Sequence, residues 1–297
     1  MGEEYPIIRI EPDWVGQPEE MGSKQKFWYR HPGAHEPAWL FKIPRPGTGE
    51  HWAEKLAEQV AAALEIPHAR VELAEFNGAA GSTTESFTVG GHSLLHGNQV
   101  LEAHDTRYDP ARRYGQSRHT LARILQALET VCPSPEAADR AKARIAEYLV
   151  LDALIGNTDR HHENWGLLQR QDRAPPHMTV APSYDHASSF GRELRDDRRE
   201  RYLEEGQVAW YVARGRGAVY WTEEEPHGPS PLELVRRAAR SYPDLFLPAL
   251  DRLRGIDDAM VARLIARVPA AWMTVVARKF AQELASYVLR ELRSLER

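Results

Sequence analysis

The chain has 297 residues, 42% of them apolar and 27% charged, a globular balance in a chain long enough to bury its own core without cross-links. Lysine plus arginine number 38 against 43 carboxylates, a net charge of −5, which excludes a generic nucleic-acid coat and makes direct nucleic-acid binding unexpected. A single cysteine, Cys132, excludes an internal disulfide and a cysteine-based zinc site, and suits a reducing, cytoplasmic compartment.

Residues 1–14 carry no basic segment followed by an apolar stretch, so no signal peptide is expected. Short runs at 7–10, 26–30, 38–43, 71–76 and 82–87 are rich in β-type residues and bounded by turn residues, and predict strands. Between the third and fourth, residues 50–64 predict a helix. Trp52, Leu56, Val60, Ala63 and Leu64 recur at helical spacing, and Ile66-Pro67 ends the run.

From about residue 115 the pattern turns helical. Leu121, Ile124, Leu125 and Leu128 share one face of 117–131. Ser134-Pro135-Glu136 is an N-cap with proline at the first helical position, opening a helix through Ile145, Leu149 and Leu154 towards Ile155. Residues 190–206 are dense in charge and predict a solvated, mobile segment. Trp210, Tyr211, Tyr220 and Trp221 suit either a hairpin or a protein-binding platform, and Arg214-Gly215-Arg216-Gly217 between them reads as a surface turn. Amphipathic helices follow from Ser230-Pro231 to the end. Within them, residues 268–277 reach only about half the ~20 residues of a membrane span, so they read as core and no membrane association is expected.

The plan is α+β and bilobal. A small strand-rich lobe with one helix, 1–100, is joined to a larger helical lobe, 101–297. A ligand cleft belongs between them.

The sharpest chemistry lies in residues 154–168, where a helix ends in a run rich in Asp, His and Asn before an apolar, strand-like stretch. Asp159 and Asn164, then Asp185 after another short β-like piece, have the order and spacing of a phosphoryl-transfer loop. One carboxylate orients the attacking hydroxyl and takes its proton, while an amide oxygen and a second carboxylate hold magnesium against nucleotide phosphates. Each piece alone has an ordinary reading, as a helix end, a turn or an N-cap. In the strand-rich half, Lys42 is the only charge in an apolar strand, poorly placed unless its ammonium meets anions. Nucleotide phosphates and one of Glu54 or Glu58, a turn apart on the next helix, are the candidate partners; snorkelling from an edge strand is the ordinary alternative. Residues 16–26 could form a turn that offers backbone N–H groups and Lys24 or Lys26 to phosphate, or a plain hairpin loop.

Asp159-Arg160-His161-His162-Glu163-Asn164 with Ser183-Tyr184-Asp185 resembles the HipA-like serine/threonine protein kinases, and more distantly the phosphoinositide kinases. Trp39-Leu40-Phe41-Lys42-Ile43-Pro44 resembles that family's ATP-lysine strand, and Glu85-Ser86-Phe87 its hinge. The resemblance implies a protein-kinase-like fold that uses ATP and magnesium to phosphorylate a serine or threonine of a protein, with an antitoxin-type protein as partner. Asp159 would be the catalytic base. His161 would stand with it, bracing the loop rather than moving protons. Asn164 and Asp185 would bind magnesium, and Lys42, with Glu54 or Glu58, would hold the phosphates. Gly22 and Ser23 would cover them, and the backbone of Glu85 and Phe87 would bond the adenine edge. Two departures stand out: the extra N-terminal subdomain of full-length HipA toxins is missing, and Glu19 and Glu20 occupy the neighbourhood of the family's regulatory serine, with Ser23 after the glycine.

The competing readings are a phosphoinositide-type lipid kinase, a non-catalytic pseudokinase and a metal-dependent phosphohydrolase. The last would use His104-Asp105, His161, His162, His177 and His186 as transition-metal ligands. The intact set of Lys42, Asp159, Asn164 and Asp185 argues against the pseudokinase. The lack of a sustained basic cluster favours protein over lipid.

Overall fold

The larger of two sheets has six strands in the order β1-β5-β6-β4-β3-β2, in a computed structural model that describes residues 3–18, 25–33, 37–170 and 177–296. These strands are β1 (Ile7–Arg9), β2 (Val15–Pro18), β3 (Lys26–Tyr29), β4 (Trp39–Lys42), β5 (Val71–Phe76) and β6 (Ala79–Glu85). All pairings are antiparallel except β1 with β5. The five expected strands are present. The extra one, β2, is Val-Gly-Gln-Pro, with one β-type side chain and a proline, and it survives because it lies at the sheet edge.

Helix α1 (Glu50–Ala63) packs on β5 and β6. Its buried residues Trp52, Leu56 and Val60 join one large core with Leu149 and Leu154 of α4 (Pro135–Ile155). The opposite sheet face carries a smaller cluster of Ile10, Tyr29, Trp39, Phe41 and Ala74. Gly81 sits where β6 crosses β4; a Cβ there would come within 2.5 Å of the Lys42 carbonyl oxygen and the Phe41 ring. The glycine lets the lysine strand approach its neighbour closely.

The second sheet has the order β7-β8-β9, with β7 (His92–His96), β8 (Gly166–Arg170) and β9 (His177–Val180), all antiparallel. Strand β7 and the following α2 (Gly97–His104) go beyond the sequence expectation, and residue 100, the expected lobe boundary, falls inside α2. Helix α3 (Leu121–Val131) starts at the Thr120 cap, whose hydroxyl accepts from the Arg123 N–H at 3.2 Å. At the start of α4 the Ser134 hydroxyl accepts from the Ala137 N–H at 3.2 Å, with Pro135 at N1 as expected.

Two expectations are corrected. Residues 190–206 contain α5 (Asp196–Glu204), in which buried Arg199 binds Asp196 at 2.7 Å and the Gly191 carbonyl at 3.1 Å. Several of its charges are locally paired, as Arg201 is with Glu205, and Thr274 at the start of α10 (Val275–Arg293) bonds Asp196 at 3.1 Å. Trp210 and Tyr211 lie in α6 (Val208–Arg214), not in a hairpin, and Tyr211 packs edge-on to Phe280 of α10. Helices α7 (Pro231–Ser241), α8 (Pro243–Asp251) and α9 (Asp258–Ala266) complete the helical half. No helix among the described residues is long and apolar enough to cross a membrane.

Candidate active site

Helix α4 stops at Gly156, which takes a left-handed conformation with φ 68°, as a C-cap residue without Cβ does readily. The chain turns there into the polar loop. Asn157 folds back on the helix, its N–H on the Asp152 carbonyl oxygen at 2.8 Å and its Nδ2 on the Asp152 carboxylate at 2.7 Å. Arg160 then closes a fork on the same carboxylate with two bonds of 2.7 Å. Its remaining nitrogen, Nη1, reaches the Asn164 carbonyl at 2.7 Å, and Nη2 also reaches the Ser183 hydroxyl at 3.0 Å. Burial works against the Arg160 charge, and the Asp152 carboxylate outweighs it, so the guanidinium stays protonated. One buried cation thus ties the helix end, the loop and the segment before Asp185 into a single piece.

That brace orients Asn164, which is buried. Its Nδ2 donates to the Asp159 carbonyl at 2.8 Å, which fixes the amide orientation and leaves Oδ1 as the free-facing acceptor. Lys42 Nζ lies 3.0 Å from Asp185 Oδ1 and 3.6 Å from Glu54 Oε1, so strand β4, helix α1 and the segment after β9 meet at one ammonium. Burial would lower the lysine pKa, but Asp185 and Glu54 outweigh it and hold it above the ordinary value. Asp185 has a positive φ of 57°, an uncommon conformation that aspartate tolerates better than most residues and that recurs at functional loops.

Of the two carboxylates considered for Lys42, Glu54 is its partner. Glu58 points elsewhere, to Lys55 at 3.1 Å and His68 at 3.5 Å, within a buried network that also holds Glu72, so it is not part of this cluster. The reason is helix geometry: one further turn carries Glu58 away from β4 to Lys55, whose ammonium also bonds the Val71 carbonyl at the start of β5.

The His161 ring faces two donors, the Glu163 N–H at 3.1 Å from Nδ1 and the Arg113 guanidinium at 3.0 Å from Nε2. A neutral imidazole has one lone pair, so only one of these is a bond, and a second ring proton has nowhere to go. Burial first, and Arg113 second, push its pKa down to about 3. The other histidines are dispersed. His104 contacts Thr130 and His186 contacts Ser183, each at hydrogen-bond distance. No group of three or more His, Cys, Asp or Glu among the described residues is arranged to hold a metal ion.

Lys42, Asp159, Asn164 and Asp185 line one cleft of about 310 Å³, with Leu40 and Phe87 on its apolar side. The Phe87 ring packs against Tyr184 at 5.3 Å, and the Tyr184 hydroxyl donates to the Glu163 carbonyl at 2.7 Å. The Phe87 backbone makes no hydrogen bond among the described residues. The Glu85 N–H is engaged by the Arg70 carbonyl at 2.9 Å, so that residue cannot offer its N–H to a ligand. Gly22 and Ser23, with Lys24, lie outside the described residues; Lys26 lines the cleft.

Sequence reasoning missed Asp152 and Arg113. Asp152 carries the same signal that exposed Lys42: it is the one charge in the apolar run Val150-Leu151-Asp152-Ala153-Leu154-Ile155. Arg113 has no such signal, being one of several arginines in an irregular stretch.

A mixed sheet with a lysine strand and one packed helix, set against a helical half that supplies a polar loop, is the kinase-like fold. A Helicobacter pylori proinflammatory kinase, CtkA, shares it with a TM-score of 0.81 at 16% identity, over 98% of this chain and 99% of that one. The HipA of Shewanella oneidensis MR-1, solved with HipB and its operator DNA, matches with a TM-score of 0.59 at 15% identity, over 98% of this chain and 67% of that one. The HipA-like C-terminal domain family matches residues 21–230, and the chain belongs to it. No curated protein sequence matches the chain.

Proposed function

We propose that the chain is a protein kinase that uses ATP and magnesium to phosphorylate a serine or threonine hydroxyl. The observation that carries this reading is the convergence of Lys42, Glu54 and Asp185 at one ammonium, in the cleft that Asp159 and Asn164 also line. Magnesium fits this donor set, since Asn164 Oδ1 and the Asp185 carboxylate are hard oxygens and the nucleotide phosphates supply further ones. Bound there, the ion would offset charge on the transferred group.

The remaining roles belong to the chain's own side chains. Lys42 holds nucleotide phosphates, with Glu54 beside it to keep it charged, and Asp185 would be a ligand to the metal. Asp159 accepts the proton of the acceptor hydroxyl as its oxygen bonds to the γ-phosphorus and the bond to the ADP oxygen breaks. His161, neutral and wedged between donors, positions the loop and transfers no proton. The adenine packs near Phe87, which lines the cleft and whose backbone makes no hydrogen bond among the described residues. Because the HipA neighbour is seen with HipB, a protein partner of the antitoxin type belongs to this reading, as does a cytoplasmic setting.

The test is labelled ATP with magnesium, incubated with the purified protein and a cell lysate, with the labelled species identified by mass spectrometry. Asp159→Ala is expected to reduce transfer by about 10²–10⁴-fold while the melting shift caused by magnesium–ATP persists. Loss of that shift in Asp159→Ala would place the residue in nucleotide binding instead.

A further inference from the structure

Beside the nucleotide cleft lies a second hollow of about 490 Å³, which the proposed transfer reaction has so far not used. The two are continuous: Arg45, Arg113, Tyr114, Asp159 and Ser188 line both. Asp159 therefore faces the nucleotide on one side and this hollow on the other, which is where an acceptor hydroxyl has to arrive.

The lining is charged in one sense. Four arginines border it, Arg45, Arg113, Arg192 and Arg216, and Asp159 is the one carboxylate among its described lining residues. Three of the four address two carboxylates. Arg45 and Arg192 both address the same oxygen of Glu50, at 3.0 and 3.1 Å, and Arg113 addresses Glu163 at 3.3 Å. Arg216 has no ion-pair partner among the described residues and stands exposed in the turn after α6. In a chain of net charge −5, this is a local inversion of sign.

A second observation points the same way. His162 lies at the floor of the hollow and is fully buried. The Tyr108 hydroxyl contacts its Nδ1 at 2.7 Å and has no other partner among the described residues, so the phenol donates and the ring proton sits on Nε2. That Nε2 is buried and has no hydrogen-bond partner among the described residues. An unanswered donor beneath the lining of an arginine-rimmed hollow leaves that floor short of an acceptor atom.

We infer that this hollow is an acceptor subsite for an anionic side chain, so that the protein prefers a serine or threonine with an acidic or phosphorylated neighbour. The inference rests on the kinase reading above and names the substrate class for it. The arginine rim attracts the anion. Basic residues near the acceptor are rejected by the same charges.

The experiment reads binding, not transfer. Fluorescein-labelled peptides carry one serine and one variable residue, scanned position by position on both sides of the serine. The variable residue is Ala, Glu, phosphoserine or Lys, and anisotropy titrations are run on the full chain at low and at high salt. At the best position Glu or phosphoserine is expected to bind about five- to tenfold tighter than Ala, and Lys weaker, with the gap narrowing in salt. The Glu and phosphoserine arms separate a carboxylate site from a phosphate site. Arg216→Glu removes the preference and Arg216→Lys keeps it; Arg216 makes no ion pair among the described residues, so neither change breaks one there. Equal binding of Ala and Glu peptides at every position, or a preference untouched by Arg216→Glu, overturns the subsite. The magnesium–ATP melting shift of the wild type is measured alongside. A shift without a peptide preference sinks this inference alone, and a preference without a shift sinks the kinase reading and the acceptor role with it.

Discussion

Two ion-pair clusters flank the cleft, and they are built differently. The Arg160–Asp152 fork is closed on itself: both residues are buried, every guanidinium nitrogen has a partner, and both residues come from one nine-residue stretch of chain. The Lys42 cluster joins positions 42, 54 and 185, with Asp185 about 30% exposed. The first has nothing left to offer a ligand. The second holds a cation and two carboxylates whose contacts can be exchanged for phosphate and metal. Breaking the closed cluster should cost folding, and breaking the open one should cost binding.

The largest expected effect is on the closed side. Asp152→Ala leaves the Arg160 charge buried without its carboxylate, and removing one partner of such a pair costs roughly 3–5 kcal/mol. The chain should lose that much in urea unfolding, and the loop should loosen with it. A loss below 1 kcal/mol would mean that water reaches Arg160 and that the fork is not closed.

On the open side, Lys42→Met should fold and lose its nucleotide response. A ligand present at about 100 times its Kd adds about 2.7 kcal/mol to a folded state that binds it, and this is the quantity that should vanish. Melting curves with and without magnesium–ATP measure it. If Lys42→Met melts lower than Asp152→Ala without nucleotide, the ranking of the two clusters is reversed.

The same contrast explains what was legible in the sequence. Asp159, Arg160 and Asn164 lie within six residues, so their order and spacing carry the geometry, and the helix before them announces itself through its Ser134-Pro135 cap. Lys42 was visible as a charge in an apolar strand, but which glutamate it meets depends on how α1 lies across the sheet, a tertiary fact with no local signal. Strand β7 was hidden because His-Ser-Leu-Leu-His lacks β-branched residues and becomes a strand only by pairing with β8. Residues 190–206 looked solvated because charge pairs that close locally, such as Arg199 with Asp196, read in sequence as undivided charge. The arginine rim of the second hollow draws on positions 45, 113, 192 and 216, and only the folded chain brings them together.

Acid should act through the loop side. His119 and His161 are pushed down to about 3, in both cases chiefly by burial, against an ordinary 6.5. Below pH 6.5 the unfolded chain takes up protons at these rings and the folded chain does not. Stability is therefore complete above about 6.5 and falls as the pH drops towards 3, by up to about 1.4 kcal/mol per pH unit for each ring. Lys42, raised rather than lowered, contributes nothing in that window. Urea unfolding at pH 7.5 and 5.5 should show the loss. An unchanged free energy would mean that these imidazoles are protonated in the fold, and His161 would then be free to carry a proton.

The smallest effect tests whether the loop brace depends on its own helix being fully capped. The Ser134 hydroxyl accepts from the Ala137 N–H at 3.2 Å, and Ser134→Ala removes that acceptor from the first turn of α4. Loss of an N-cap oxygen costs about 1 kcal/mol. Asp152 sits at the far end of the same 21-residue helix, so fraying of the first turn stops well short of it. Its neighbours Leu149 and Leu154 are locked into the large core, which holds the last turns in place whatever happens at the first. The variant should therefore lose about 1 kcal/mol in urea and keep an undiminished magnesium–ATP melting shift. A weakened shift at so small a cost in stability would show that the closed cluster is coupled along the whole helix, and the division between a folding cluster and a binding cluster would fail.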